Sequence, residues 1–347
     1  QPSTILAPAF LGPRLTHLLP KATLHLFDQK TPSHTIGSLR ISHLPTRRRM
    51  DPIYDAYFIE DGRESVMLAN HGFDLDDEHR NQLGHDASCD VLISPFNRYS
   101  LPGFLGGLVS PGLEGLADLV ERTRPRKVVH TAAIVDDRGA PELFQAVNVK
   151  GTDHIVAACE AFGVERLVHV SSIVVLGLDS PALCDERTPL QAYTGAPYMD
   201  TKAVSERRVR DAWAQGRVPA VVVRPGDVYG LGSQPWVIRP LEMMRQGLPV
   251  LVGGGQGLMV HCWIDNLIDG LALCLDKADI EGRVFHITDG VDDTTFRDYF
   301  EHLAAAGKTR LSRWSLPGGV ASRLGAGLDL ASRFVPFTPP FSETAVK

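Results

Sequence analysis

The feature that most constrains this chain is a tyrosine followed four residues later by a lysine, Tyr198 and Lys202. Residues four apart lie on one face of a helix, so the two side chains are predicted to be neighbours. An ammonium group beside a phenol favours the phenolate. This predicts a lowered pKa for Tyr198 and a role in moving a proton to or from a substrate oxygen. Ser172, just after a strand-like run, is predicted to hydrogen-bond the same oxygen.

Strands and helices alternate on both sides of this pair. The predicted elements are, in chain order, strand 127–133, helix 141–162, strand 166–170, helix 198–213, strand 218–223, helix 266–277 and strand 283–288. The strands are continuous apolar runs, as strands buried on both faces are. The alternation predicts an α/β fold with a doubly wound parallel sheet. In such sheets ligands bind at the carboxyl ends of the strands, where Ser171 and Ser172 fall.

Composition excludes several classes of protein. The chain has 347 residues and a net charge of -6, so it lacks the basic surface that binds nucleic acid. Its five cysteines form no C-x-x-C pair and their number is odd, which favours a reducing compartment over a disulfide framework. No leader pattern and no apolar run of about 18 residues or more is visible. These features predict a soluble, cytoplasmic protein.

The first thirty residues read as strand, helix, strand, with the second strand closing at Asp28. This order opens a dinucleotide-binding unit, in which an acidic residue at that position binds the ribose hydroxyls. The glycine-rich turn that lets the backbone approach a pyrophosphate is reduced to Gly12. The segment is therefore interpreted either as the remnant of such a unit or as an α/β opening without a cofactor role.

Residues 37–97 form a second unusual segment. Two strands, 54–60 and 64–69, are predicted to form a hairpin around an Asp-Gly turn, and the segment weakly resembles part of a metallo-β-lactamase-like fold. Its side chains of the types that bind metals are His71, Asp74, Asp76, His79 and His85. The H-x-H-x-D-H signature of that family is absent from the sequence, so we predict a solvated loop and no metal site.

Five motifs occur downstream in a fixed order. They are His130-Thr131-Ala132-Ala133, Val147-Asn148-Val149-Lys150-Gly151-Thr152, Val170-Ser171-Ser172, Pro197-Tyr198 to Lys202, and Arg224-Pro225-Gly226-Asp227-Val228-Tyr229-Gly230. Together they resemble the extended short-chain dehydrogenase/reductases, the group of the NAD-dependent epimerases and dehydratases. Within that group the chain is similar to the branch of 3β-hydroxysteroid dehydrogenase-like and 2-alkyl-3-oxoalkanoate reductase-like enzymes. The resemblance covers about residues 127–347.

The resemblance implies a role for each matching residue. The catalytic residues that it implies are Ser172, Tyr198, Lys202 and Asn148. The cofactor-binding residues that it implies are Ala132, Ala133, Tyr198, Lys202, Pro225 and Val228, to which the amino-terminal pattern adds Gly12 and Asp28. The implied cofactor is NAD or NADP. NAD is favoured if Asp28 closes the second strand, because a carboxylate repels the 2′-phosphate of NADP.

These patterns divide the chain into three regions. Residues 1–126 are an atypical α/β region, with 1–30 as a remnant of the first β-α-β unit and 37–97 as an insertion. Residues 127–232 are a Rossmann-like catalytic half, and 233–347 are a substrate-side region with an amphipathic tail. The apolar face of the tail consists of Val320, Leu324, Leu328, Ala331 and Val335. This face fits packing on the body or on a partner, and it leaves peripheral membrane contact open.

The function that follows is that of an NAD(P)-dependent oxidoreductase. It would act on a secondary alcohol or ketone of a lipid- or steroid-like small molecule, with Tyr198 as acid and base. Two alternatives stay open: a binding protein that kept the site and lost the cofactor, and a sugar-nucleotide epimerase or dehydratase. The resemblance also implies a homodimer.

Overall fold

The computed structural model describes two parts of the chain differently. Before residue 95 it describes the backbone of seven strands, and from Val120 to Val320 it describes most residues with their side chains. The described residues are 4–8, 23–27, 33–36, 39–44, 56–60, 65–68, 91–94, 120–121, 123–135, 140–177, 184–191, 193–230, 233–291, 293–315 and 317–320. Gly12, Asp28, the loop from His71 to His85 and the tail beyond Val320 lie outside them, so the predictions for those residues stay predictions.

Most of the described strands belong to one sheet. The strands are β1 (Thr4–Pro8), β2 (Thr23–Phe27), β3 (Ser33–Ile36), β4 (Leu39–Leu44), β5 (Ala56–Glu60), β6 (Ser65–Leu68), β7 (Val91–Ser94), β8 (Lys127–His130), β9 (Arg166–Val170), β10 (Ala220–Pro225), β11 (Asp227–Tyr229), β12 (His261–Trp263) and β13 (Val284–Ile287). Nine of them form a sheet in the order β13-β10-β9-β8-β7-β6-β5-β4-β3. Neighbours are parallel from β6 to β13 and antiparallel from β3 to β6.

The described helices lie in the second part of the chain. They are α1 (Pro141–Phe144), α2 (Gly151–Ala161), α3 (Pro197–Ala214), α4 (Arg239–Arg245), α5 (Ile264–Asp276) and α6 (Phe296–Ala306). A π-helical segment, Gln145–Lys150, joins α1 to α2. Within the described part of the chain, no helix combines the length and the apolar character needed to cross a bilayer.

Helices cover both faces of the parallel part of the sheet. On one face, Ile155 of α2 and Val209 of α3 belong to the same buried cluster as Val222 of β10. On the other face, Leu267 of α5 clusters with Val221. Neighbouring strand residues point to opposite faces, so a continuous valine run can serve both clusters. The predicted α/β fold, with a parallel sheet between helices, is confirmed.

The element bounds of the catalytic half agree closely with the sequence pattern. The predicted helix 198–213 is α3, and the predicted strand 166–170 is β9. The strand predicted over 127–133 ends earlier, at His130. Agreement is close here because long apolar runs and helical spacing are strong local signals.

The amino-terminal strands follow a different arrangement. The predicted hairpin is present as β5 and β6. Strands β3 and β4 were not predicted, although the apolar-polar alternation in β4 is a strand signal. Strands β1 and β2 pair in parallel with each other in a separate two-stranded sheet. The sheet neighbour of β8 on this side is β7.

Candidate active site

Ser172 lies directly after β9, at the carboxyl edge of the sheet. It is the N-cap residue of a short 3-10 helix, Ile173–Leu176, and is 8% exposed. Its hydroxyl accepts a hydrogen bond from the Val174 N–H at 3.4 Å. A bond of this length is weak. The Ser172 hydroxyl therefore remains able to bind another oxygen.

The neighbouring Ser171 is held by a buried ion pair. Its hydroxyl donates to the Glu206 carboxylate at 2.7 Å. The same carboxylate accepts from Arg224 Nε at 2.9 Å and from Arg224 Nη2 at 2.6 Å, and both charged side chains are fully buried. These bonds tie the end of β9 to α3 and β10. Ser172 is thus the serine whose hydroxyl is left for a substrate.

Tyr198 lies in the first turn of α3, directly after a loop that is fixed by its own hydrogen bonds. Pro197 begins the helix, a position that suits its fixed φ angle. The Asp200 carboxylate accepts from the backbone N–H groups of Thr194 at 2.7 Å and Gly195 at 3.2 Å. The Ser172 side chain lies close enough to the partly buried Tyr198 to lower the pKa of its phenol. That the two hydroxyls bind one substrate oxygen stays a prediction.

The pKa of Tyr198 is raised to about 12. Burial is the largest cause, because removal from water disfavours the phenolate. The negative charge of Asp227 raises the pKa further, and the hydrogen bond with Ser172 lowers it in part. The lowered pKa predicted from the lysine spacing is therefore wrong for this structure, since burial is the dominant cause of the shift and it raises the pKa.

Lys202 lies one helical turn after Tyr198 and is 3% exposed. Its Nζ donates to the main-chain oxygen of Val170, the last residue of β9, at 2.6 Å. Burial lowers the pKa of Lys202 to about 8, and the charge of Glu206 opposes that shift. An ammonium group carries three N–H donors. Among the described residues, Val170 is the only recorded acceptor for them, so two donors remain for hydroxyl groups of a ligand.

Asn148 braces the loop that follows β8. It lies in the π-helical segment and is 1% exposed. Its Oδ1 accepts from the Ile134 N–H at 2.7 Å, and its Nδ2 donates to the Ile134 carbonyl at 3.2 Å and to Thr201 Oγ1 at 3.0 Å. Because Thr201 precedes Lys202, these bonds connect the loop to the helix of the tyrosine and lysine.

The remaining predicted cofactor-binding residues lie at the same edge of the sheet. Ala132 and Ala133 follow β8 and are 5% and 2% exposed. Pro225 ends β10 and is buried, and Val228 in β11 is partly buried. The structure thus gathers these residues around the ends of β8, β9 and β10. Their contacts with a cofactor stay a prediction.

Asp227 is a site residue whose importance the sequence reasoning missed. Its backbone N–H donates to the Val260 carbonyl at 2.6 Å, and no described residue donates a hydrogen bond to its carboxylate. Burial raises the pKa of Asp227 to about 7, and its charge acts on Tyr198. The sequence did contain a signal for this role. Asp227 is an acidic residue inside the motif from Pro225 to Val228, which was predicted to line the cofactor.

Another carboxylate, Asp289, fixes the strands on the substrate side. It is hydrogen-bonded to His261 Nδ1 at 2.7 Å, and it accepts from the Tyr229 hydroxyl at 3.0 Å and the Trp263 N–H at 2.7 Å. These bonds hold β11 and β12 against the segment after β13. The position of Asp227 in β11 is therefore set by contacts far away in sequence.

Comparison with protein families identifies the class of this chain. A model of the NAD dependent epimerase/dehydratase family matches residues 112–288, which is just over half of the chain. The chain belongs to this family. The match begins at residue 112, so the weak resemblance of residues 37–97 to a metallo-β-lactamase-like fold stays a prediction.

Individual relatives agree with this assignment. The chain is 33% identical over 162 residues to a 4-hydroxy-2-methyl-3-oxo-4-farnesyl-3,4-dihydroquinoline-1-oxide ketoreductase of Stigmatella aurantiaca, covering 46% of this chain and 48% of the relative. It is 31% identical over 207 residues to a 2-alkyl-3-oxoalkanoate reductase of Stenotrophomonas maltophilia (strain K279a), covering 57% and 62%. The chain thus spans between about half and two thirds of the length of these curated relatives.

A solved structure is similar in fold. The UDP-glucuronic acid 4-epimerase from Bacillus cereus, crystallised with UDP-glucuronic acid and NAD, has a TM-score of 0.54 and 20% sequence identity to this chain. The similarity covers 74% of this chain and 88% of the epimerase. At this identity it supports the Rossmann-like α/β fold and nothing about the substrate.

The donor groups at the sheet edge fit one end of the family's cofactor. A buried ammonium with two available N–H donors suits a ribose diol, and Lys202 supplies it beside Tyr198. Ala132 and Ala133 add little side-chain bulk after β8. Lys202 and Tyr198 would thus hold the nicotinamide ribose. The two residues predicted for the adenosine end, Gly12 and Asp28, lie outside the described residues.

Proposed function

We propose that this protein is an NAD(P)-dependent oxidoreductase that acts on a secondary alcohol or ketone, with Tyr198 as its acid and base. The observation that carries this proposal is the buried Lys202, whose Nζ donates to the Val170 oxygen at 2.6 Å at the carboxyl end of β9, with Ser172 close enough to Tyr198 to lower the pKa of its phenol. Membership of the family adds support, because its description names NAD. When bound, the nicotinamide would supply or accept the hydride.

Each side chain has a separate task in this proposal. Ser172 donates a hydrogen bond to the substrate oxygen and holds it beside the phenol. Tyr198 gives that oxygen its proton during reduction and removes it during oxidation. Lys202 binds the ribose and keeps a positive charge below the site. Asn148 acts indirectly, because it positions the loop after β8.

The raised pKa of Tyr198 favours one direction of reaction. With a pKa of about 12, the phenol is protonated at neutral pH and is ready to donate. Oxidation needs the phenolate, whose population rises only in alkaline solution. We therefore expect ketone reduction to be faster than alcohol oxidation near pH 7, and the ratio to fall as the pH rises.

The surroundings of Asp227 favour an apolar substrate. Three apolar side chains near β11 and β12 are well exposed: Leu258 at 53%, Val260 at 39% and Trp263 at 37%. The carboxylate of Asp227, to which no described residue donates a hydrogen bond, would repel an anionic group placed next to the reacting carbon. The substrates named for the two reductase relatives carry farnesyl and alkyl groups. A lipid- or steroid-like ketone therefore suits this site better than a sugar nucleotide.

One alternative has an observation in its favour. Strands β1 and β2 pair apart from the main sheet, which favours a binding protein that kept the site and lost the cofactor. Incubation with NADH and a panel of 3-oxo lipids and 3-oxosteroids separates the two functions. We expect consumption of NADH with at least one ketone, and its loss in Tyr198→Phe. A protein that binds these ketones but no nicotinamide nucleotide would support the alternative.

We also propose a cytoplasmic location and a homodimer. The location is supported by Cys159, Cys262 and Cys274, which are free thiols in the described part of the chain. The homodimer rests on the family resemblance alone. Light scattering coupled to size-exclusion chromatography would give a mass near twice that of the chain for a dimer, and the chain mass for a monomer.

A further inference from the structure

The position of Asp227 is set by the close turn between β10 and β11. The Gly226 N–H donates to the Ile287 oxygen at 3.0 Å. The Asp227 N–H donates to the Val260 oxygen at 2.6 Å. A Cβ atom at Gly226 would lie 2.1 Å from the Val260 oxygen, so this approach of two backbones requires glycine. Because β10 pairs in parallel with β9, the turn lies at the carboxyl edge of the sheet, where β9 ends before Ser172.

The Asp227 carboxylate lies within electrostatic reach of two tyrosines. Burial raises the pKa of Tyr198 and of Tyr299, and the charge of Asp227 raises both further. Tyr299 packs edge-on against Tyr229, with ring centroids 5.5 Å apart. Tyr229 packs in the same way against Trp263 at 5.2 Å. Since Tyr229 follows Asp227 by two residues in β11, the two side chains share one face of that strand. The carboxylate therefore lies on the aromatic side of the strand and acts on the Tyr198 phenol.

This environment offers the Asp227 side chain no hydrogen-bond donor within the described part of the chain. The Tyr229 hydroxyl donates to Asp289 at 3.0 Å, and the Tyr299 hydroxyl donates to the Trp236 oxygen at 2.9 Å. Both phenols beside Asp227 thus have other acceptors. Burial raises the pKa of Asp227 to about 7, because removal from water disfavours the charged form. A carboxylate in this state binds a ligand that brings a donor to it.

We propose that the Asp227 carboxylate binds a hydroxyl group that the substrate carries on the carbon next to its ketone. The inference rests on the proposed function and narrows its substrate class to hydroxy ketones with an apolar remainder. The ketone oxygen would meet Tyr198, and the hydroxyl would meet the carboxylate that acts on the same phenol. A neutral hydroxyl suits the site better than an amine, because the neighbouring Val260 and Trp263 are apolar and would not replace the hydration of an ammonium.

Three ketones with the same alkyl chain test this inference at pH 8, where a carboxyl group with a pKa of about 7 is mostly ionised. They are hydroxymethyl octyl ketone, methoxymethyl octyl ketone and ethyl octyl ketone. The methyl ether keeps the oxygen beside the carbonyl and lacks the O–H donor. We expect the wild-type kcat/KM with NADH to be at least about tenfold higher for the hydroxy ketone than for the ether or the ethyl ketone.

The ratio of the hydroxy ketone to its ether isolates the contribution of Asp227. Both ketones meet the same Tyr198, so any effect of a variant on proton transfer cancels in the ratio. We expect the ratio to fall to near one in Asp227→Leu. Asp211→Leu is the matched control, because Asp211 is exposed on α3, and it should keep the wild-type ratio.

The outcomes separate this inference from the proposed function. Equal kcat/KM for the hydroxy ketone and its ether in the wild type would overturn the inference, and so would a wild-type ratio that persists in Asp227→Leu. Either result leaves the oxidoreductase proposal intact, because ketone reduction would still be observed. Consumption of NADH with none of the three ketones and with none of the lipid and steroid ketones of the panel above would overturn both.

Discussion

The strands on the two sides of β8 differ in their arrangement and in the site residues that they carry. On the side of β9, three neighbouring strand ends and one helix gather Ser172, Tyr198 and Lys202 at one edge of the sheet. On the side of β7, the described strands pass into an antiparallel meander, and β1 with β2 lies in a separate sheet. A proton-transfer site needs only a few adjacent strand ends, whereas a dinucleotide site needs a particular strand order. A chain can therefore keep a proton-transfer site while the strand order that a dinucleotide site needs has changed.

The largest expected effect is a loss of catalysis, and it tests the residues on the β9 side of β8. Replacing Tyr198 by Phe removes the proposed proton donor and keeps the ring, so we expect kcat for ketone reduction to fall by about 10³-fold. Nucleotide affinity should stay within about threefold. Tyr193→Phe is the matched control, because Tyr193 is 89% exposed and should leave kcat unchanged. Steady-state kinetics and titration check both values, and normal turnover by Tyr198→Phe would remove Tyr198 from the mechanism.

The buried ion pair gives the next largest effect. Arg224→Met removes the two charged hydrogen bonds to the buried Glu206 carboxylate and leaves it with Ser171 at 2.7 Å and Arg210 at 3.5 Å, and we expect the free energy of unfolding to fall by about 3 kcal/mol. Arg217→Met is the control. Arg217 pairs with Glu160 at 2.6 Å, but both side chains are about 40% exposed, so its loss should cost less than about 1 kcal/mol. Urea denaturation measures both, and equal losses would show that the buried pair does not anchor the site.

The raised pKa of Asp227 predicts that the free energy of unfolding depends on pH. Its pKa in the folded protein, about 7, lies above the ordinary carboxyl pKa of 3.8. Between these values the folded protein binds a proton that the unfolded chain releases, so the free energy of unfolding falls as pH rises. Asp227→Asn removes this contribution. From pH 5 to pH 7 we expect the wild type to lose about 1 to 2 kcal/mol relative to the variant.

Urea denaturation at the two pH values checks this difference, since every other titrating group is common to both proteins. A wild type and an Asn variant that lose equal stability would show that Asp227 titrates normally.

A second outcome is expected in catalysis. Because the charge of Asp227 raises the pKa of Tyr198, the alkaline rise of alcohol oxidation should begin at lower pH in the variant.

The smallest expected effect is on the choice between NADH and NADPH, and it tests the amino-terminal region on the β7 side of β8. If Asp28 bound the ribose, it would repel the 2′-phosphate and favour NADH over NADPH strongly. Without that repulsion, the ratio of the two dissociation constants should lie within about threefold of one. Titration of the wild type with each nucleotide measures this ratio. A preference for NADH of more than tenfold would return Asp28 to the site.

The sequence predicted the catalytic half well because its signals are local. The spacing of Tyr198 and Lys202 and the apolar strand before Ser172 can each be read within a few residues. The pKa of Tyr198 could not be predicted in this way. It depends on burial by distant segments and on Asp227, twenty-nine residues away along the chain. The hydrogen bond from Lys202 to the Val170 carbonyl likewise joins residues that are far apart in the sequence.

The amino-terminal strand order was harder to predict for a related reason. Antiparallel neighbours joined by a short turn, such as β5 and β6, carry a local signal. The parallel pairing of β7 with β8 joins strands about thirty residues apart in sequence, and parallel pairs need long crossovers without a turn signature. The composition of β1 and β2 therefore gave no indication that they lie outside the main sheet.

Titration of NADH into the wild type and into Lys202→Met tests the central claim most directly. Methionine matches the length of the lysine stem and suits its buried position, so the fold should be retained while the ammonium donors are lost. Lys277→Met, at an exposed lysine, is the control. The account predicts saturable binding by the wild type and the control, and an affinity at least about tenfold weaker in Lys202→Met. Equal binding by all three proteins, or none by the wild type, would contradict it.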